Sequence, residues 1–102
     1  MDLLEIKLEN PIGLDEVIRL KSELILAKKH DFLIIDTGAY DFESTKVLNH
    51  FRTQLADLEP CLTKFKKIAL IMTPLYEAEN SNRYRHNYCS SKEEAIEWLE
   101  SK

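Results

Sequence analysis

The chain has 102 residues, of which 44% are hydrophobic and 31% are charged, and it contains only 2 glycines and 3 prolines. This composition excludes a collagen-like, low-complexity or disordered chain and predicts one compact domain over residues 1–102. The formal net charge is −4, from 14 basic and 18 acidic residues. We therefore expect no nucleic-acid partner, because nucleic-acid-binding domains carry a clear basic excess.

The start of the sequence does not look like a targeting segment. Two of its first five residues are acidic, whereas a secretory signal needs a basic start and an apolar run. The longest apolar run, residues 68–72, is far shorter than the roughly 20 residues of a membrane span. We therefore expect a cytoplasmic protein without a membrane span. Cys61 and Cys89 lack C-x-x-C spacing and are predicted to be free thiols.

Two strands and one helix are predicted in the first third of the chain. Apolar and charged residues alternate over residues 4–9, which is typical of a half-buried strand. After a turn at residues 10–13, a wide apolar stripe at helical spacing predicts a helix over residues 14–29. Acidic residues open this helix and basic residues close it, as the helix dipole favours. Residues 32–35 form a continuous apolar run, as in a strand covered on both faces.

The clearest prediction is a helix over residues 45–58, where apolar residues step by three and four positions. Ser44 is its predicted N-cap. The helix is expected to stop before Pro60, because the residue before a proline disfavours the helical conformation. Residues 68–72 then form a second buried strand.

Three elements are predicted in the last third. Thr73-Pro74 opens a short helix, residues 84–89 form a final strand, and a capping-box pattern at residues 90–94 begins a terminal helix. The resulting order, βαβαβαβα, predicts a single α/β domain with a four-stranded, largely parallel or mixed sheet and helices packed on it. The order of the strands and the direction of the first strand do not follow from the sequence.

One short motif invites a catalytic interpretation. Ile34-Ile35-Asp36-Thr37-Gly38-Ala39 resembles the active-site turn of retroviral-type aspartic proteases, which pair two such aspartates. Those enzymes are nearly all β and have glycine-rich flaps, whereas this chain has three helical periodicities and only 2 glycines. We therefore expect Asp36 to end a buried strand and its carboxylate to organise the next loop.

No other motif indicates a reaction. The histidines and cysteines lack metal-ligand spacing, and no phosphate-binding glycine loop or nucleophile elbow is present. We expect no metal, no cofactor and no enzymatic activity, and keep an enzyme that uses Asp36, Asp41 or His86 in a cleft as a third alternative. The basic clusters at residues 64–67 and 83–86 are interpreted as solvated faces rather than as RNA or lipid sites.

Four segments carry a resemblance to a known family. They are Leu14-Asp15-Glu16-Val17, Phe32-Leu33-Ile34-Ile35-Asp36, Lys67-Ile68-Ala69-Leu70-Ile71 and Ser91-Lys92-Glu93-Glu94-Ala95-Ile96-Glu97-Trp98-Leu99. With these segments in this order, the chain resembles the STAS domains, which include bacterial anti-sigma-factor antagonists and sulfate-transporter tails. The resemblance is to their small SpoIIAA-like, SEC14-like branch and extends over nearly the whole chain.

This resemblance implies a site at the start of the second helix. In phospho-switched STAS proteins an acid and two hydroxyl residues stand there, followed by Gly; here the stretch is Glu43, Ser44, Thr45 and Lys46. The resemblance implies a non-enzymatic regulatory module in which Ser44 is the phospho-acceptor. The expected surface for a protein partner comprises Asp36, Thr37, Asp41, Glu43, Ser44, Thr45, Lys46, Pro74 and Arg83.

Two alternatives to this switch stay open. In the first, Ser44 is a plain N-cap without a regulatory role. In the second, the chain is a small-molecule or lipid carrier of SEC14-like type that uses the aromatic-rich residues 76–88. A protein partner is expected in the main interpretation, a lipid or small apolar ligand in the alternative, and a monomer or weak homodimer in both.

Overall fold

The computed structural model describes residues 2–9, 12–27, 30–37, 42–71 and 86–101. The strands are β1 Leu3–Lys7, β2 Phe32–Asp36, β3 Lys67–Ile71 and β4 His86–Cys89. The helices are α1 Leu14–Leu26, α2 Thr45–Asp57, α3 Glu59–Leu62 and α4 Lys92–Glu100. The predicted α/β class with a four-stranded sheet is confirmed.

The sheet is entirely parallel, and its strand order is β1-β2-β3-β4. Lys7 lies beside Asp36, and Asp36 beside Ile71, so the carboxyl ends of the first three strands meet at one edge. Parallel neighbours need a crossover, which α1 supplies between β1 and β2, and α2 with α3 between β2 and β3. Both connections lead to the next strand in the same direction across the sheet. Right-handed connections of this kind place their helices on the same face, and α1 and α2 pack side by side there.

The larger part of the core lies between this helical layer and the sheet. Alternate residues of β1, β2 and β3 point toward α1 and α2 and are buried there. The central members of this cluster are Ile6, Leu8, Leu33, Ile35, Ile68 and Leu70 from the sheet and Val17, Leu20, Leu24, Leu48, Phe51 and Leu55 from the helices. Burial of these side chains explains why the helical periodicity of the sequence predicts α1 and α2 correctly.

The opposite face of the sheet is covered by α4. Ala95 and Leu99 of α4 pack on Ile34, Ala69 and Ile71, in a smaller buried cluster. The first turn of α4 reaches the outer strand through an ion pair between Lys92 Nζ and Glu5 Oε2, 3.2 Å apart. Among the described elements, the helix that covers the second face therefore has only nine residues.

The predicted end of the first helix is wrong. The expected helix over residues 14–29 stops at Leu26, because Ala27 has an extended backbone with ψ of 138°. Its apolar stripe is also narrower than predicted, since Leu14, Ile18 and Ile25 are exposed. Helix α1 therefore buries only the residues nearest the sheet.

The second helix is confirmed and ends one residue earlier than predicted, but helical structure resumes after it. Pro60 does not end the helical region: it lies in the first turn of α3, where a helix does not need the missing N–H. The helix predicted after Thr73 lies outside the described residues. The final strand is confirmed over His86–Cys89 as β4, while the predicted positions 84 and 85 lie outside the described residues, and the terminal helix is confirmed as α4.

Within the described ranges, none of the helices has the length and hydropathy that crossing a membrane requires.

Candidate functional site

The segments that precede α1 and α2 are joined at the carboxyl edge of the sheet. Ile12 and Phe42 form an isolated parallel bridge. The Glu43 N–H donates to the Ile12 carbonyl over 2.8 Å. These contacts fix the start of α2 to the start of α1.

Phe42 anchors the start of α2 in the core. It is buried and packs on Phe51, with ring centroids 5.2 Å apart and planes inclined by 37°. This is a favourable distance for an aromatic pair. The next residues, Glu43 and Ser44, are exposed. The chain therefore passes from a fixed buried residue directly to a surface position.

Ser44 is the N-cap of α2, as predicted. Its backbone is extended, with φ of −158° and ψ of 164°, and its Oγ accepts a hydrogen bond from the Val47 N–H over 3.2 Å. The Leu48 N–H donates to the Ser44 carbonyl over 3.1 Å. Thr45 and Lys46 in the first turn are exposed, and this turn has no acidic residue. The positive end of the α2 dipole is thus reinforced by the Lys46 charge.

Glu43 lies against Gly13, the buried residue that precedes α1. A Cβ at position 13 would collide with Oε2 of Glu43, so the glycine leaves the space that this carboxylate uses. Gly13 supplies no side-chain cap to α1. The Glu43 carboxylate therefore brings a negative charge to the positive end of α1, which is a stabilising arrangement.

Asp36 and Thr37 lie at the same edge but are buried. Asp36 ends β2, as expected, and its carbonyl accepts from the Leu8 N–H over 2.8 Å. Thr37 donates through both Oγ1 and N–H to the Ile71 carbonyl, over 2.7 and 3.0 Å. These two residues join neighbouring strands and present little surface to a partner.

The predicted site residues thus form an exposed group and a buried pair. Glu43, Ser44, Thr45 and Lys46 are contiguous and exposed, and are called here the α2-start surface. Asp36 and Thr37 are buried beneath this edge. Asp41, Pro74 and Arg83 lie outside the described residues.

A second polar cluster lies where β1 ends. Arg19 Nε donates to Glu16 Oε2 over 2.9 Å, and the Glu9 N–H donates to Glu16 Oε1 over 2.6 Å. The hydrogen bond from Arg19 lowers the pKa of Glu16, the Glu9 N–H adds to this effect, and partial burial opposes it. The same bond raises the pKa of Arg19.

Lys67 is a structural residue that the sequence analysis missed. The prediction of a solvated basic cluster holds for the exposed Lys64 and Lys66 but is wrong for Lys67, which is only 5% exposed. Lys67 Nζ donates to the carbonyls of Trp98 and Ser101 over 2.9 and 2.5 Å. It also lies 4.9 Å from the centroid of the Trp98 ring. Because α4 has no basic residue in its last turn, Lys67 supplies the charge that its dipole favours there.

The cysteines are free, as predicted, and Cys89 is buried. Burial raises the pKa of the Cys89 thiol, and the nearby Glu94 charge raises it further. Among the described residues, no group of three or more His, Cys, Asp or Glu side chains is placed to hold a metal ion.

The fold and this site define a parallel α/β domain whose helix starts and strand ends share one edge. Comparisons of the chain with protein-family models, with curated proteins and with solved structures gave no match.

Proposed function

We propose that the chain is a non-enzymatic, STAS-like regulatory module that binds a protein partner through the α2-start surface. The main supporting observation is that four contiguous polar residues are exposed directly after an anchored aromatic residue, Phe42. The hydrogen bond between Glu43 and Ile12 holds the same segment on its other side. A preorganised surface of this kind binds with a smaller loss of conformational entropy than a flexible loop.

Ser44 is the residue through which this surface would be regulated. A phosphate on Ser44 would lie at the N-terminus of α2, where free N–H groups and the helix dipole stabilise negative charge. It would also stand between the neighbouring Lys46 and Glu43 charges. Modification would therefore change the α2-start surface from about neutral, with Glu43 and Lys46 in balance, to clearly negative, while a helix cap is retained.

A lipid or small-molecule carrier is the alternative function. Most of the aromatic-rich residues 76–88 that motivate it lie outside the described residues. A groove of about 440 Å³ on α4 is lined by Lys92, Glu93, Ile96, Glu97 and Glu100. Four of these five residues are charged, so the apolar lining that they offer comes from their aliphatic stems beside Ile96. The carrier function is an outcome of the test below.

The proposal is tested by affinity capture with the wild type, Ser44→Asp and Ser91→Asp, with proteins and lipids identified by mass spectrometry. Ser91 is a matched control because its Oγ caps α4 at 3.2 Å, as Ser44 caps α2. We expect a protein that is captured by the wild type and by Ser91→Asp but is lost with Ser44→Asp. The unfolding free energy should stay within about 0.5 kcal/mol in both variants, because Asp caps as well as Ser.

A photoreactive side chain at Thr45 locates the contact, with the same group at Thr53, exposed further along α2, as the control. Cross-linking from position 45 alone supports the proposal. A partner that binds Ser44→Asp as well as the wild type would contradict it. A defined lipid captured equally by all three proteins would establish the carrier function instead.

A further inference from the structure

The outer strand β1 has an edge that no described strand covers, since β1 pairs only with β2. The Asp2 carbonyl accepts from the Phe32 N–H over 3.0 Å, and the Leu8 N–H donates to the Asp36 carbonyl over 2.8 Å. Backbone groups of successive residues in a strand point to opposite edges. The even-numbered residues of β1 therefore bond to β2, and the backbone groups of Leu3, Glu5 and Lys7 point outward.

The carboxyl half of this edge is already covered by side chains of α1. Arg19 Nη2 donates to the Lys7 carbonyl over 2.5 Å, and Glu16 accepts the Glu9 N–H. Among the described residues, no side chain forms an equivalent hydrogen bond with the outward backbone of Leu3 or Glu5. Among the described residues, the outward main-chain donors and acceptors of Leu3 and Glu5 therefore have no partner strand.

A groove of about 390 Å³ follows the same edge and has an apolar floor. Its apolar lining comes from Leu4, Ile6, Leu26 and Ala27. Leu26 is 81% exposed and lies at the end of α1. A single exposed leucine is common on protein surfaces and needs no explanation. Here the exposed leucine lies next to strand backbone without a described partner strand, so one extended segment can contact both.

Each ionisable side chain described along the rim of the groove has a polar side-chain partner. Arg19 Nη1 lies 3.0 Å from Glu23 Oε2, and His30 Nδ1 lies 2.9 Å from Asp2 Oδ1. Glu5 is paired with Lys92. A charged ligand would have to compete with these pairs, whereas an uncharged, apolar segment leaves them intact.

We infer that the amino half of the β1 edge, at Leu3 and Glu5, binds an extended, uncharged segment of a partner protein as an added strand. The segment forms main-chain hydrogen bonds with Leu3 and Glu5 and places an apolar side chain in the groove against Leu26. Main-chain bonds then supply affinity and the groove supplies selectivity. This edge is separate from the α2-start surface, so the two proposals stand independently.

The test selects a phage-displayed library of random 12-residue peptides on the whole chain and measures binding of the selected synthetic peptides. Glu5→Pro removes one outward N–H without touching the bonds to β2, since proline is tolerated at such edge positions. Glu5→Ala removes the same side chain and keeps the N–H, so it is the matched control. We expect Glu5→Pro to weaken binding at least about tenfold, and Glu5→Ala to bind like the wild type.

Two further measurements do not depend on how Glu5→Pro folds. Leu26→Asp places a charge in the groove and should also weaken binding at least about tenfold. In the wild type, amide exchange at Glu5 should be fast without peptide and slow with it, while Ile6 is protected throughout.

The inference is wrong if no peptide is enriched, or if selected peptides bind both Glu5→Pro and Leu26→Asp as well as the wild type. It is also wrong if the peptide leaves Glu5 exchange unchanged. Dimerisation of the free chain that Glu5→Pro abolishes would show that a second copy occupies the edge instead. If Ser44→Asp loses peptide binding and Glu5→Pro keeps it, the peptide binds at the α2-start surface, and the inference is wrong.

Discussion

Lys67 ties the last turn of α4 to the inner strand β3. Its ammonium group meets two backbone carbonyls and one aromatic face while it is almost fully buried. A buried lysine is tolerated only when its charge is compensated in this way. The residue therefore acts as a C-terminal cap that is supplied by the sheet rather than by the helix.

Replacing Lys67 by Met keeps the aliphatic stem and removes the charge-assisted bonds. We expect Lys67→Met to lower the unfolding free energy by about 2 kcal/mol, measured by urea denaturation with the fluorescence of the single tryptophan. Lys66→Met is the control, because Lys66 is 71% exposed and its nearest acid, Asp31, is 3.7 Å away. It should change stability by less than about 0.5 kcal/mol. Equal effects of both variants would show that Lys67 does not hold α4.

Glu16 makes part of the stability depend on pH. Its pKa lies below the ordinary value of 4.5 because Arg19 and the Glu9 N–H stabilise the carboxylate. A lowered folded-state pKa contributes stability above about pH 4.5, and this contribution is lost as the pH falls through the folded-state pKa. We therefore expect Glu16→Gln to destabilise the chain at pH 7 and to have a smaller effect at pH 3, by urea denaturation.

A double-mutant cycle isolates the cause of this pH dependence. The coupling between Glu16→Gln and Arg19→Gln should be larger at pH 7 than at pH 3, because the carboxylate is protonated at the lower pH. A coupling that is independent of pH would contradict the assigned role of the Glu16 charge.

At the scale of elements, α2 and α4 begin with the same device. Each has a serine N-cap in an extended conformation, followed by a buried apolar face. In α4 the Glu94 N–H donates to the Ser91 cap, but the Glu94 carboxylate accepts from Ser90 instead of from the cap residue, over 2.6 Å from the Ser90 hydroxyl. This hydrogen bond lowers the pKa of Glu94.

Removing either cap should cost a similar amount of stability. We expect Ser44→Ala and Ser91→Ala each to lower the unfolding free energy by about 1 kcal/mol, and the Asp variants to restore it. Urea denaturation of the four proteins checks this expectation. A loss in Ser91→Ala without one in Ser44→Ala would show that the Ser44 cap is not formed in solution.

Elements whose periodicity matches their burial could be predicted from the sequence. The strand alternation of β1 and the three-and-four spacing of α2 both reflect a buried face, so the pattern and the structure agree. The start of α2 and its Ser44 cap could also be predicted from the local sequence. The end of α1 could not be predicted. Lys28 and Lys29 favour a helix end after them because their charges match the helix dipole, but the backbone already leaves the helix at Ala27.

Features that depend on distant segments could not be predicted. The burial of Lys67 requires α4 to fold back over β3, and its partner Trp98 is 31 positions away. The burial of Thr37 depends on its pairing with Ile71. Strand order and register likewise depend on contacts between segments that no local pattern encodes.

At the scale of the whole molecule, the two faces of the sheet are covered unequally. Helices α1 and α2 bury a large cluster on one face, while α4 buries a small one on the other. Loss of one apolar contact of α4 therefore removes a larger fraction of the described packing on its face than loss of one contact of α1 or α2 removes on the other face.

This inequality makes Leu99 a sensitive position. Leu99 is 2% exposed against the second face, so Leu99→Ala should lower the unfolding free energy by about 2–5 kcal/mol. Leu26→Ala removes the same atoms from an exposed site and should change it by less than about 0.5 kcal/mol. Thermal and urea denaturation compare the two. Similar values would show that α4 does not close the second face.

The strand order also sets the sequence of events while the chain is being synthesised. Because each described strand pairs with the one before it, β1, β2 and β3 can assemble in the order in which they leave the ribosome. Among the described helices, α4 is the one that covers the second face of that sheet, with Ile34, Ala69 and Ile71, and it leaves the ribosome last. The part of this apolar surface that α4 covers in the finished domain is therefore uncovered by α4 on the nascent chain, and it is a surface that a ribosome-associated chaperone can bind.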